Sequence, residues 1–211
     1  MELRSLPRQE SWKPELLRPR WNIGPSREVG VIRRHPETGE LHEDPLVWGF
    51  VPRWTKDIKA ARRPINARAE TVRTSPMFRD SFERRRCLVP MDAFYEWAGE
   101  KPPKQPFAIA RRDGQEMLVA GIWDGWRAPD GSVLRTFAVI TTEANETLLP
   151  IHHRMPVIID PTDVEIWLGD DADAAAALMK PAPNDALRAW PVGRAVNDVR
   201  RDGPELLEPI A

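Results

Sequence analysis

Apolar residues recur in short runs, most of them alternating and most of them closed by turn residues. "EVGVIRR" (Glu28–Arg34) and "LVWGF" (residues 46–50) predict two strands linked through the turn-rich "HPETGE". A β-rich centre follows. "FYEW", "QPFAIAR", "EMLVAGIW" and "LRTFAVITT" all read as strands, and the pairs Asp113-Gly114 and Asp130-Gly131 read as hairpin turns of one antiparallel meander. "MPVIID" reads as a buried strand. Helical spacing is scarce. "SPMFRDSFERR" predicts a short helix with Ser75 as N-cap, Pro76 at its first position, and Phe78 and Phe82 on one face. "NETLLPI" predicts one or two helical turns. "DPTDVEIWL" predicts a helix capped by Asp160, and "DADAAAALM" a second. "RAWPVG" and "AVNDV" read as closing strands or loops, and residues 1–20 as largely irregular.

Composition sharpens this picture. The chain has 211 residues, 22 of them proline, which disfavours long helices. The expected fold class is α+β, mostly β, in a single domain over residues 1–211 with no separating linker. No apolar run approaches the roughly 18 residues of a membrane span, and no secretory signal is visible. One cysteine cannot form an intrachain disulfide, which fits a cytoplasmic location. The net charge of -1 hides an asymmetry. Residues 53–86 contain 11 Lys/Arg against 4 Asp/Glu, with Trp54, Met77, Phe78 and Phe82 among them. Such a segment is either a solvated face or a groove for a polyanion that also stacks bases.

The candidate chemistry lies in three places. In "CLVPMDAFYEW", Cys87 is the only thiol and reads as the start of a buried strand. Glu96 shares a strand face with Phe94, opposite Tyr95 and Trp97. Its carboxylate is either desolvated, which suits proton transfer, or turned to water at a strand edge. In "INAR", Asn66 and Arg68 point the same way if the segment is extended. In "IHHRMP", only one of His152 and His153 can face a given site. No HExxH, CxxC, GxSxG or phosphate-loop motif occurs, so neither a metal nor a cofactor is expected.

The order of "WNIGP", "VWGFVPRW", "INARAET", "SPMF", "RRCLVPMDAFYEW", "KQPFAIA", "TFAVITTEAN", "IHHRMPVII" and "PVGRAVNDV" resembles the SOS response-associated peptidase (SRAP) family, from about Trp21 onward. The resemblance implies short strands and a few helices around one pocket beside a basic groove. It implies a cross-linking and lyase enzyme with autopeptidase activity, whose partner is single-stranded DNA with abasic sites. No obligate protein partner and no membrane are implied. The family nucleophile is a cysteine exposed at the mature N-terminus, whose amine and thiol together trap the abasic aldehyde as a thiazolidine. By resemblance, Glu96 and His152 transfer protons and Asn66 orients the N-terminal residue. Arg68 and Arg154 contact phosphates, Trp54 lies near the kinked DNA, and Thr141 contacts the backbone. Family members begin Met-Cys-Gly-Arg, whereas this sequence begins Met1-Glu2-Leu3-Arg4. The expectation is therefore a truncated N-terminal segment and a missing nucleophile, with Cys87 as core. Two other functions compete with the sensor reading. One is a single-stranded DNA-binding module without chemistry, and the other a thiol peptidase using Cys87.

Overall fold

Strand β1 (Glu28–Arg34) forms where the alternation predicts it. Strand β2 (Leu41–Trp48) starts earlier than its apolar centre suggests, taking in the polar residues 42–44. Pairing recruits them: Arg33 lies opposite His42, Ile32 opposite Glu43 and Val31 opposite Asp44. The computed structural model describes residues 18–210. The expected irregularity of residues 1–20 therefore lies mostly outside the described residues.

A ring of strands organises the rest. β3 (Asn66–Arg68), β4 (Arg86–Met91), β7 (Met117–Arg127) and β8 (Val133–Glu143) join the first two strands in one sheet. That sheet closes on itself in the order β7-β4-β1-β2-β8 and back to β7. The β2–β8 contact is parallel, pairing Val47 with Thr136 and Trp48 with Phe137. β7 and β8 form a hairpin turned at Asp130-Gly131, where Gly131 takes the left-handed backbone.

The meander expectation fails at the other Asp-Gly pair. β6 (Gln105–Arg111) turns at Gly114 but does not pair with β7. Both edges of β7 are already occupied, by β4 on one side and by β8 and residues 158–159 on the other. β6 instead joins β5 (Ala93–Ala98) and β11 (Leu187–Pro191) in a second, three-stranded sheet. "MPVIID" is likewise two strands, β9 (Arg154–Pro156) and β10 (Ile158–Ile159). They wedge between β7 and β8 where that hairpin splays. β9 pairs with β8, β10 pairs with β7, and Val157 bonds Ile140 and Ala120 between them.

The two faces of the ring have different cover. Ile32, Leu88, Leu118, Ala120, Ile122, Ala138 and Ile140 pack with Phe82 and Trp167. Helices α1 (Ala69–Val72), α2 (Arg79–Arg84), α3 (Val164–Trp167) and α4 (Ala172–Ala177) supply that cover, so this face is the outside. Asp160 caps the turn before α3, and Asp171 caps α4. Ser75 does not cap α2. Its carbonyl opens a turn over residues 75–79, and the helix itself begins at Arg79. "NETLLPI" forms a turn whose Asn145 side chain accepts from the Leu148 amide.

Alternate positions face inward, among them Val29, Val31, Leu46, Cys87, Val89, Val119, Phe137 and Val139. Arg33, His42 and Asp44 share this parity. Arg33 pairs with Asp44, whose other contact is His42 at 2.9 Å, and the Arg33 guanidinium lies over the Trp123 ring. All three are almost fully buried. Asp44→Ala should lower stability by about 3–5 kcal/mol, because it strands a buried guanidinium. Denaturant unfolding checks this, and a loss below about 1 kcal/mol would mean that the pair is expendable.

Candidate functional site

Strand alternation places Glu96 as its sequence suggests. Phe94 packs with the inward apolar cluster. Tyr95 and Trp97 pack on the opposite side, where the Tyr95 hydroxyl donates to the Trp21 carbonyl at 2.9 Å and the Trp97 indole to Asn197 at 2.8 Å. Glu96 is therefore drawn toward an apolar wall, and its side chain is 25% exposed. Burial raises its carboxyl above the usual range, opposed by His152, a backbone hydrogen bond from Trp97 and the charge of Lys104.

His152 reaches Glu96 from another part of the chain. The turn over residues 145–151 is fixed by Asn145, which also donates to the carbonyls of Ala182 and Pro183. The turn ends where the His152 amide donates to the Leu148 carbonyl at 2.9 Å. The His152 Nδ1 lies 3.6 Å from Glu96 Oε1. The same Nδ1 lies 3.2 Å from the Arg154 amide and 3.1 Å from its carbonyl. Nδ1 accepts from that amide, and at 3.6 Å its approach to Glu96 is an ion-pair contact rather than a hydrogen bond; a small rotation of either side chain would bring the two to proton-transfer distance. His153 points outward, with its ring 4.5 Å from that of His152.

A second group lies along β8. Asn66 and Arg68 are both exposed, with the buried Ala67 between them, as expected of an extended segment. Arg68 sits beside Thr141 on β8. Arg154, at the start of β9, donates to the Thr141 carbonyl at 2.6 Å from the strand's other edge. The Arg154 fork also grips Glu70 at 2.6 and 2.9 Å. Contacts thus run from Glu96 through His152 and Arg154 to Thr141 and Arg68. Asn66 lies one pleat further along β3, in a hollow of about 480 Å³ also lined by Arg62, Arg63, Pro64, Met77 and Phe78. Among the described residues no hydrogen bond ties Asn66 to Glu96 or His152.

The basic segment divides in two. Arg53 and Arg85 face Asp124, Arg73 faces Asp173, Arg79 faces Asp80, and Arg86 donates to backbone carbonyls. The side chains of Lys56, Lys59, Arg62, Arg63, Arg68 and Arg84 make no hydrogen bond or ion pair with any described residue. Trp54, 60% exposed, sits in the loop that contains the first four of these. That loop is pinned to the barrel. The Val51 amide donates to Thr136, the Arg53 amide to Asp124, and the Trp126 indole to the Thr55 carbonyl. It closes where the Phe50 amide meets the Pro64 carbonyl, just after Gly49 turns the chain at φ 130°.

Cys87 is fully buried, and burial pushes its thiol far up. A side chain on neighbouring Gly121 would meet its Sγ at 3.0 Å. The thiol peptidase reading therefore has no accessible nucleophile in Cys87. Among the described residues no group of three His, Cys, Asp or Glu could hold a metal ion. No described helix is long and apolar enough to cross a membrane. Neither Glu70 nor Lys104 stands out as a candidate in the sequence. Glu70 sits inside the quoted "INARAET", but its pairing with Arg154 has no sequence signal.

A family model described as SOS response associated peptidase (SRAP) matches residues 2–199. The chain is 36% identical over 194 residues to the abasic site processing protein YoqW of Bacillus subtilis, covering 90% of this chain and 86% of that one. It is 33% identical over 196 residues to the abasic site processing protein YedK of Escherichia coli, covering 90% and 85%. A crystal structure of a Bacteroides thetaiotaomicron protein superposes with a TM-score of 0.77 at 28% identity, covering 88% of this chain and 82% of that one.

The raised Glu96 carboxyl has a measurable consequence. Between the ordinary glutamate range near pH 4 and its higher folded value, the folded state binds more protons than the unfolded state. The Glu96 contribution to stability therefore falls as pH rises through that window. Denaturant unfolding from pH 4 to 7 should show Glu96→Gln gaining stability relative to the parent as pH increases. A constant or shrinking difference would mean that Glu96 is not desolvated.

Proposed function

Because the chain belongs to the SOS response associated peptidase (SRAP) family, we propose that it processes abasic sites in single-stranded DNA. The observation that carries this reading is the contact of Glu96 with His152, two residues before an arginine on the β8 edge. An open abasic sugar is an aldehyde. An amine adds to it, the hydroxyl leaves as water, and an imine remains. A thiol on the adjacent carbon then adds to the imine carbon, its proton passes to nitrogen, and a thiazolidine closes. Burial favours the protonated Glu96, which suits an acid that assists loss of water. His152 suits the complementary task of taking a proton from the attacking group and returning it.

The remaining residues are read as binding groups. Arg68 and Arg154 take strand phosphates beside Thr141, and Trp54 stacks on a base. The unpaired cations of residues 56–63 extend the groove. Asn66 orients the reacting terminus. Both sheets contribute to one apolar cluster, which supports reading the described residues as a single domain. The amine and thiol must belong to one terminal residue. Cys87 does not meet this requirement, because its nitrogen is an amide and its thiol is buried. A DNA-binding module without chemistry is the second reading, favoured by the exposed Trp54 and the unpaired cations, which need no nucleophile.

A denaturing gel with abasic single-stranded DNA separates the readings. The 211-residue polypeptide should form no heat-stable adduct without borohydride. The same chain given a Met-Cys start should form one, and should lose it in Glu96→Gln or His152→Ala. Binding without an adduct from the extended chain would favour the second reading. An adduct from the 211-residue chain, abolished by Cys87→Ala, would refute the core assignment of that cysteine. Separately, Trp54→Ala should weaken binding to undamaged single strands by about 1–3 kcal/mol. An unchanged affinity in a titration would remove Trp54 from the groove.

A further inference from the structure

The fork of Arg154 is already occupied. Its Nη1 and Nη2 donate to the two oxygens of Glu70 at 2.6 and 2.9 Å, and the same Nη2 donates to the Thr141 carbonyl at 2.6 Å. Two parallel N–H bonds to two oxygens of one anion are also the geometry in which arginine takes a phosphate. The pair is lopsided in exposure, with 17% for the Arg154 side chain and 51% for Glu70. The cation is held in the protein wall, while the anion stands at the surface.

We propose that Glu70 occupies the phosphate position of Arg154 in the DNA-free protein and is exchanged for a strand phosphate on binding. This rests on the reading of Arg154 as a phosphate contact. A partly buried guanidinium left bare is costly, so an anion-for-anion exchange keeps it paired throughout. Glu70 is able to leave, because its half-exposed side chain can turn into water from the first turn of α1. It also has to leave, since a carboxylate beside a phosphate repels it. The Arg154 hydrogen bond, with the charges of Arg154 and Arg68, holds the Glu70 carboxyl below its usual range, so it stays ionised near neutrality. The exchange opposes the binding of every strand. Glu70 is thus a residue that moderates strand affinity rather than one that reacts.

Anisotropy titrations of the full chain with undamaged single-stranded DNA at several salt concentrations test this. E70Q should bind about two- to fivefold tighter, the range that an exposed ion pair commands. Its log–log salt slope should become more negative by about 0.7, one phosphate's worth, because the cation no longer starts out neutralised. Neither change should appear when E70Q is added to Arg154→Ala. Arg154→Gln, which removes the charge but keeps a polar side chain, replaces that background if Arg154→Ala does not fold. Without DNA, E70Q should unfold at lower denaturant than the parent, and with saturating DNA it should not. An E70Q affinity that is unchanged or weaker, or a gain of equal size in both backgrounds, overturns the exchange alone. An Arg154→Ala chain that binds as tightly as the parent overturns the phosphate reading, and the exchange with it.

Discussion

From Thr136 onward strand β8 is buried and must find hydrogen-bond partners along both edges, and its neighbours are too short or too divergent to supply them alone. β7 accompanies it only as far as Val139, and β2 touches it only at Thr136 and Phe137. Beyond those points each bare edge is filled by another segment. β3 takes one edge from Val139 to Thr141, and β9 takes the other from Thr141 to Glu143. Those fillers carry Asn66 and Arg68 on one side and Arg154 on the other, with His152 just before Arg154. The candidate site is the place where the barrel's hairpin splays and its backbone has to be completed.

The rigid and adaptable parts separate along the same line. At the inward end of the barrel, Arg33, Asp44 and His42 form a buried ionic cluster that water does not reach. Asp124 ties the basic loop to β7 through Arg53, both by backbone and by side chain. Beyond that anchor the cations of the loop are unpaired and face outward. At the site the groups are only partly buried. Glu96 keeps a strained proton affinity against its apolar wall, and Arg154 keeps a surface partner that can be replaced. Fixed backbone with exchangeable side-chain partners suits recognition of a charged strand.

Much of this was legible in the residues, for identifiable reasons. β1, β5, β6, β7 and β8 announce themselves by alternation, and the shared face of Asn66 and Arg68 follows from the same period. Asp160 caps as its side chain dictates. The polar start of β2 was hidden because β1 recruits it, and the breaking of the meander because β7 has no free edge. β9 and β10 look like one strand in the sequence because only the splay of β7 and β8 gives them different partners. The meeting of Glu96 with His152 joins a strand of the small sheet to a turn beside the barrel. Local pattern contains no trace of that, and only the family resemblance suggested it. Glu70 was invisible because its grip on Arg154 depends on α1 starting directly after β3.

Backbone amide shifts recorded by NMR, with and without undamaged single-stranded DNA, test most directly whether β8 and its two fillers form the binding site. Perturbations should concentrate in residues 54–70, 139–143 and 152–156, and should fade along β1 and β4. Perturbations confined to the hollow lined by Arg53, Arg84, Arg85 and Asp170 would contradict the assignment and move the nucleic-acid surface to the other side of the basic segment.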